Sequence, residues 1–462
     1  MDVRELIGLV GFALLFLLLV LRAPVGLAMV LVGIGGNFAL SLAAPFLRFE
    51  PFLKQFKTLL WNTVASYDLS VVPLFVLMGL LATHANLSRD LFRGMNAFVG
   101  RFRGGVAMAA VGACAGFGAV CGSSLATAST MGRVALPELR RLNYAPSLAT
   151  GALAAGGTLG ILIPPSIALV VYAVVVEASI VQLFRAAIIP GLLATLFFIL
   201  VIAIQVRLKP SLAPKIEAFD RTERRTALLR LIPVALIFGT MILGLGAGLF
   251  TPTPAAAIGV FVILAYGLVM RLWGEGLSLS GMKASLLDSA VTSGMIYFIL
   301  FGAEVLKSFF SRSGLPVALA NLAAASGFEP WLLLIAILAL LIILGCFLES
   351  LSMVLVILPF LWPMLVEVNG GDYVTADQAA FGLDMESLRI WFGILSLIVI
   401  ELGLITPPVG LNIFIISSLS EGVPMRETYK GVLAFIAAEF IRVSLILAFP
   451  AIALFLPWLL GQ

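Results

Sequence analysis

The sequence has few of the groups on which enzymes and soluble domains depend. Of its 462 residues one is histidine, three are cysteine and 11% are charged, whereas 61% are hydrophobic. With a single histidine and no G-x-x-x-x-G-K-[ST] phosphate loop, neither hydrolytic chemistry nor direct ATP drive is supported. This composition excludes a soluble globular protein and predicts a polytopic α-helical membrane protein that is not an enzyme.

The cysteines and the net charge exclude further classes. Cys114, Cys121 and Cys346 all lie within apolar segments and lack metal-ligand spacing, so neither a disulfide framework nor a cysteine metal site is indicated. The formal net charge is +4, but basic residues of a membrane protein mostly set its topology. The predicted partner is therefore the lipid bilayer and not a nucleic acid.

Long apolar runs are abundant, and the breakers between them predict ten membrane spans. The predicted spans are 5–21, 25–43, 68–86, 146–177, 181–206, 230–249, 252–272, 288–311, 389–418 and 430–458. Two further apolar regions, 106–137 and 331–366, are interrupted near the middle by Gly122-Ser123-Ser124 and by Glu349-Ser350. Because half of such a region is too short to cross a bilayer comfortably, both are predicted to be re-entrant helical hairpins.

Basic residues predict the orientation of these spans. The segment 207–230 carries seven basic residues and the segment 367–389 carries one. By the positive-inside rule, the first segment is cytoplasmic and the second is external. Three spans and a returning hairpin lie between them, which agrees with this assignment. Both termini are then predicted to be external, which is the periplasmic side if the membrane is a bacterial inner membrane.

The linker 207–229 divides the chain into two halves of similar plan, 1–206 and 230–462. The predicted parts are scaffold spans within 1–86 and 230–311, an inner hairpin at 106–137, an outer hairpin at 331–366, and broken helices at 146–177 and 389–418. Amphipathic connectors are predicted at 46–66 and 274–287. Because each half has five crossings, an odd number, the second half runs opposite to the first and the fold is predicted to be an inverted repeat.

One motif occurs in both halves in the same register. Leu159–Pro165 and Leu402–Pro408 each end in Pro-Pro, and 243 positions separate them. A helix that stops at Gly160 leaves free carbonyls that attract cations, and one that restarts at Pro164 leaves amides that attract carboxylates. An ordinary proline kink is the alternative, but its repetition favours a functional interruption.

Polar residues at the hairpin tips and beside the breaks are the remaining candidates. Glycine and serine at 118–124 suit a monovalent cation, although close helix packing would be the preferred explanation for one such tip alone. Glu349 is a carboxylate inside an apolar stretch and is therefore a functional candidate. Glu401 precedes the second break, and either a cation ligand or a hydrogen-bonded brace fits it equally well.

These motifs resemble the large membrane (M) subunit of the tripartite ATP-independent periplasmic (TRAP) transporters, in the ion transporter superfamily. The resemblance covers essentially the whole chain and is densest in Gly116–Leu139, Gly151–Ser166 and Glu401–Asn412. It implies a multi-pass protein of the bacterial inner membrane that imports a small organic anion, often a carboxylate, with Na+ by an elevator mechanism. The implied partners are a periplasmic substrate-binding protein (P type) and a small four-helix membrane subunit (Q type).

The resemblance also implies which residues bind the ions and the substrate. The implied sodium ligands are Gly122, Ser124, Gly157, Thr158, Gly160, Glu349, Ser352, Gly403, Thr406 and Pro407. The implied substrate contacts are Ser123, Ser124, Thr127, Pro164, Ser166, Ser350, Pro408 and Asn412. The substrate is expected to lie between the hairpin tips and the breaks.

Two departures from the family pattern and two alternatives accompany this prediction. The insertion 367–388 is longer than the family leads us to expect, and the lack of a fused small subunit implies a separate chain for it. One alternative is a stand-alone inverted-repeat anion carrier or a proton-coupled antiporter that uses Glu349 and Glu401. The other is a membrane assembly scaffold that transports nothing, against which the two broken spans argue.

Overall fold

The computed structural model describes residues 2–44, 46–214, 221–246, 248–272, 274–325 and 329–460. All regular structure in these ranges is helical, with twenty α-helices and no strand. This agrees with the predicted all-α class, because in a bilayer a helix satisfies its own backbone hydrogen bonds. Nine of the helices are long and apolar enough to cross a membrane, and the number rises to eleven if each bent helix pair is one span.

The helices follow one another in an order that is similar in the two halves. The first ten are α1 (Val3–Val20), α2 (Val25–Ala43), α3 (Phe49–Val64), α4 (Val71–His84), α5 (Leu87–Val99), α6 (Gly105–Cys121), α7 (Ser124–Arg141), α8 (Pro146–Leu162), α9 (Ile167–Val176) and α10 (Ile180–Leu208). The others are α11 (Arg221–Gly246), α12 (Pro252–Arg271), α13 (Leu279–Ser313), α14 (Leu315–Ala325), α15 (Pro330–Gly345), α16 (Ser350–Asn369), α17 (Met385–Leu404), α18 (Leu411–Leu419), α19 (Met425–Ala448) and α20 (Ala451–Leu460).

Two groups of helices make extensive contacts, and α5 joins them by packing on both α6 and α11. In the first group, α13 lies along α2 and α4, and α12 packs on α4 and α11. Glycine permits the close approach of α2 and α13, because a Cβ at Gly33 would lie 2.9 Å from the carbonyl oxygen of Val305. In the second group, α6 and α7 both pack on α8, α15 packs on α17, and α19 packs on α8. The first group corresponds to the predicted scaffold spans, and the second contains the predicted hairpins and broken helices.

Each predicted hairpin is a pair of helices with a short turn. The turn between α6 and α7 is residues 122–123, called the first tip below, and the turn between α15 and α16 is residues 346–349, the second tip. Both predicted breaks are also present: residues 163–166 separate α8 from α9, and residues 405–410 separate α17 from α18. How deeply the hairpins enter a membrane stays a prediction.

The structure corrects three boundaries. The connector predicted at 274–287 is not a separate element, because α13 runs without a proline from Leu279 to Ser313; its counterparts α3 and α4 meet at an angle of 53°. The predicted span 430–458 is divided at Phe449 and Pro450, where proline lacks the amide that would continue the helix. The first break begins after Leu162 and not at Gly160, since it is Ile163, directly before Pro164, that is extended.

The basic stretches of the sequence meet on one face of the molecule. Arg103, which follows α5, donates hydrogen bonds to the carbonyls of Pro210 at 2.8 Å and Ala213 at 3.3 Å. The amide of Ala145, after the arginine-rich end of α7, donates to the carbonyl of Leu212 at 2.9 Å. This grouping fits the predicted cytoplasmic face, although residues 215–220 of the predicted linker lie outside the described residues.

Glycines allow each tip to pack closely against a broken helix. A Cβ on Gly118, one turn before the first tip, would lie 2.5 Å from the Cα of Gly160. A Cβ on Gly403 would lie 2.6 Å from the carbonyl carbon of Gly345, which directly precedes the second tip. These contacts are backbone to backbone, so no side-chain rotation relieves them.

We expect Gly118→Ala and Gly403→Ala each to destabilise the protein by about 1–3 kcal/mol, the usual cost of an overpacked core. Thermal unfolding of the purified protein in detergent measures the change. Gly35→Ala is the matched control, because a Cβ on this residue of α2 would have no neighbouring atom within 4 Å and alanine favours a helix over glycine. Equal melting temperatures for all three variants would contradict the packing described.

Candidate functional site

The first tip lies on the first break. Gly122 has φ +60°, and a Cβ there would lie 3.1 Å from the amide nitrogen of Ile167 and 3.3 Å from the carbonyl oxygen of Pro165. A left-handed glycine therefore ends α6 where no side chain would fit. Ser123 then caps α7 by accepting a hydrogen bond from the amide of Ala126 at 3.5 Å.

The first break itself is buried. Pro164 and Pro165 are joined by a cis peptide bond, and both are buried together with Ser166. Ser166 caps α9 by accepting a hydrogen bond from the amide of Leu169 at 3.3 Å. The hydroxyl of Thr158, a predicted sodium ligand, donates to the carbonyl of Ala155 in its own helix at 2.7 Å.

Two buried oxygens near the first break have no hydrogen-bond partner in the described part of the chain. They are Oγ1 of Thr127 and Oδ1 of Asn412, and both residues are fully buried. A Cβ on Gly160 would lie 2.5 Å from Thr127 Oγ1, and one on Gly157 would lie 3.0 Å from Asn412 Nδ2. An unpaired buried polar atom is costly, and a further ligand at this place would offset that cost.

The second tip packs on the second break in a corresponding way. The amide of Gly410 donates to the carbonyl of Cys346 at 3.3 Å, and the Cys346 thiol lies 3.6 Å from the carbonyl oxygen of Pro407. The Thr406 hydroxyl donates to the carbonyl of Leu402 at 2.6 Å. Unlike the first break, this one is open, because Pro407 and Pro408 are exposed.

The other residues predicted at the second tip lie at the start of α16. Glu349 is half-buried at its N-cap position, and its carboxylate makes no hydrogen bond or ion pair with any described residue. Ser352 is buried in the first turn. The carbonyl of Pro408, a predicted substrate contact, accepts a hydrogen bond from the Tyr429 hydroxyl at 2.7 Å.

Glu401 lies between the two tips. Its Oε2 accepts a hydrogen bond from the Ser124 hydroxyl and its Oε1 accepts one from the Ser350 hydroxyl, each at 2.5 Å. All three residues are buried. Ser124 and Ser350 are the first residues of α7 and α16, so one carboxylate joins the two hairpins.

Four helix N-termini converge on this region. α7 and α16 begin at the serines bound to Glu401, α9 begins beside Gly122, and α18 begins beside Cys346. Each N-terminus carries free amides and a partial positive charge. Their convergence favours an anion, while the hydroxyl, amide and carbonyl oxygens around them favour a hard cation.

Sequence reasoning found most of these residues but not their connections. It named Ser124, Ser350 and Glu401 separately, and nothing in the spacing indicated that they form one hydrogen-bonded group. It missed Cys346 and Tyr429 as neighbours of the second break, because only the tertiary packing brings them there. Among the described residues no group of three or more His, Cys, Asp or Glu side chains could hold a metal ion.

Two curated relatives of this chain are large permease proteins of TRAP transporters. A curated relative, the C4-dicarboxylate TRAP transporter large permease protein of Pseudomonas aeruginosa, is 34% identical over 433 residues, which are 92% of this chain and 95% of the relative. The sialic acid TRAP transporter large permease protein of Vibrio cholerae is 30% identical over 397 residues, or 85% and 87% of the two chains.

A solved structure shares the fold. The YdaH transporter of Alcanivorax borkumensis superimposes with a TM-score of 0.56 at 14% identity, over 86% of this chain and 88% of that one. The family model of the tripartite ATP-independent periplasmic transporter, DctM component, matches residues 12–452. The chain therefore belongs to the DctM family, the large membrane subunits of TRAP transporters, and is a multi-pass inner-membrane protein.

Proposed function

We propose that this chain is the carrier subunit for sodium-coupled import of a small organic anion, a carboxylate, which a periplasmic substrate-binding protein delivers. The observation that carries the proposal is the convergence of four helix N-termini beside two unpaired buried oxygens. The N-termini supply positive partial charge for a carboxylate, and the Thr127 hydroxyl and the Asn412 amide can donate hydrogen bonds to it. Other hydroxyl and carbonyl oxygens at the tips and breaks supply ligands for a cation. The names of the relatives, which specify a C4-dicarboxylate and sialic acid, support an organic anion.

Two sodium sites are proposed, one at each tip and break. The first comprises Gly122, Ser124, Gly157, Thr158 and Gly160, and the second comprises Glu349, Ser352, Gly403, Thr406 and Pro407. The support for the first is that the left-handed turn at Gly122 lies directly against the carbonyl oxygen of Pro165 in the first break. The support for the second is the Glu349 carboxylate, half-buried without a protein partner among the described residues. The anion is proposed to lie between the tips, against the other predicted contacts, which include Thr127 and Asn412.

Two cavities support alternating access. One, of about 590 Å³, is lined by Arg133 and Arg140 of α7, by the start of α8 and by the segment after α18. The other, of about 280 Å³, is lined by Leu355 of α16 and the end of α9, but also by Asn62 of α3 and Lys307 of α13. The scaffold helices α3 and α13 thus cover only the second cavity.

In an elevator transporter whose mobile part lies toward one side of the membrane, scaffold helices are expected to cover one cavity and not the other. The difference between the two cavities matches this expectation. We propose that α6–α10 and α15–α19 form that mobile part, and that the site is turned toward the basic, cytoplasmic face. In this arrangement the termini are periplasmic. A half-filled site would carry uncompensated charge past lipid at a cost of several kcal/mol, so cation and anion cross together.

The full system is expected to import its anion only with a sodium gradient and both partners. The measurement is uptake of a labelled C4-dicarboxylate or sialic acid into proteoliposomes with sodium high outside, with and without the small membrane subunit and the binding protein. Uptake by the chain alone, or uptake driven only by a pH gradient, would instead support a stand-alone or proton-coupled carrier. Stable partner binding without uptake under any gradient would support an assembly scaffold.

Thr127→Val tests whether the orphan oxygen binds substrate. We expect the melting temperature in choline chloride to stay the same or rise, because an unpaired buried hydroxyl is removed. We expect the KM for anion uptake to rise about tenfold, because the loss of one hydrogen bond weakens binding by roughly this factor. The matched control is Thr83→Val in the scaffold helix α4, where the half-buried hydroxyl donates to the carbonyl of Gly79 at 2.9 Å: it should lower stability and leave KM unchanged. The reverse pattern would exclude Thr127 from the site.

Ser124→Ala and Thr406→Ala test the two proposed sodium sites. Each removes one hydroxyl ligand, so the sodium concentration for half-maximal uptake should rise several-fold while membrane insertion is retained. Ser418→Ala is the control, since that exposed serine bonds only within α18, to the carbonyl of Ile415. Unchanged sodium activation in both variants would remove these residues from the site.

A further inference from the structure

The carboxylate of Glu401 is shared between the two hairpins. One oxygen accepts from Ser124 of α7 and the other accepts from Ser350 of α16, both at 2.5 Å. Glu401 itself belongs to α17, just before the second break. Three elements that the proposed mechanism requires to move or open are therefore joined by one buried side chain.

The two halves of the chain are not equivalent at this point. Glu401 follows Thr158 by 243 residues, the same spacing that separates the two Pro-Pro motifs. The Thr158 hydroxyl instead donates to the carbonyl of Ala155 in its own helix and makes no hydrogen bond to Ser124 or Ser350. A single carboxylate in the second half thus binds the first residue of the returning limb in each hairpin, Ser124 and Ser350, and Thr158 in the first half is no counterpart.

The direction of these hydrogen bonds determines what the serines can do. An ionised carboxylate only accepts hydrogen bonds, so in that state each serine donates its one proton to Glu401 and keeps both lone pairs free. An ionised Glu401 would also polarise each hydroxyl and make the Ser124 oxygen a better cation ligand, as second-shell carboxylates do for metal-bound side chains.

We propose that Glu401 is a positioning residue that orients both serine hydroxyls and couples the two tips energetically. A cation bound by Ser124 at the first tip holds that serine, and with it the Glu401 carboxylate, in the arrangement that Ser350 needs. Ser350 in turn fixes the start of α16, where Glu349 and Ser352 of the second proposed site lie. The second cation then binds without that ordering cost, which gives positive cooperativity. This role rests on the proposed sodium coupling, and it assigns Glu401 as a brace between sites and not as a ligand.

Glu401→Gln is the direct test, measured as the sodium-dependent rise in melting temperature of the full-length protein, with choline replacing sodium at constant ionic strength. An amide can accept from only one of the two serines. We expect the half-saturating sodium concentration to rise at least tenfold and the Hill coefficient to fall to about 1.

Ser396→Ala is the matched control, because this buried serine of α17 bonds only to the carbonyl of Gly393 in its own helix, at 3.0 Å. It should leave both sodium parameters unchanged. Wild-type affinity and cooperativity in Glu401→Gln would overturn the proposal.

A double-mutant cycle on Ser124→Ala and Ser350→Ala keeps the test informative if Glu401→Gln does not fold. With Glu401 present, the effects of the two serine changes on sodium affinity should be non-additive, since both act through the same carboxylate. Additive effects would overturn the coupling.

The same cycle, measured as melting temperature in choline, separates this inference from the proposed function. If wild-type protein shows no stabilisation by sodium, the proposed sodium coupling fails. Non-additive serine effects in choline would still support the shared carboxylate, and additive ones would reject it.

Discussion

Every interruption of a helix within a bilayer leaves peptide groups that lipid cannot satisfy, and much of this structure follows from that constraint. The chain interrupts two helices, at residues 163–166 and 405–410, and presses a glycine-containing hairpin tip against each. The contact of Gly118 with Gly160, and that of Gly345 with Gly403, brings backbone to backbone. At the first break the protein thereby buries the Pro-Pro pair, whereas at the second break Pro407 and Pro408 stay exposed.

The proposed binding sites lie at these two interruptions. Short helices that begin at the tips and breaks direct their N-termini toward one another, and the polar atoms left without partners, such as Thr127 Oγ1, are beside them. Glu401 joins the two hairpins, since its carboxyl group accepts hydrogen bonds from the first residues of α7 and α16. Under the proposed function, binding at either tip would then affect the other tip through this single side chain.

Local sequence patterns are sufficient to predict the breaks but not every helix boundary. The Pro-Pro pairs predicted both breaks, because proline lacks an amide and disfavours helix at the preceding residue. The same local reasoning misplaced the end of α8 by two residues and missed the division at Pro450. It also predicted a separate connector at 274–287, whereas α13 continues through most of it because no proline stops the helix.

The sequence by itself determined the membrane class, the helical content, the two breaks and the repeated order of elements, because hydropathy and proline act on the chain locally. It also identified Ser124, Ser350 and Glu401 as candidates by residue type. Only the tertiary structure decided that these three form one group, that the first break is buried while Pro407 is exposed, and that scaffold helices cover one cavity and leave the other open. Such contacts join residues far apart in the chain, and no local pattern encodes which distant side chains will meet.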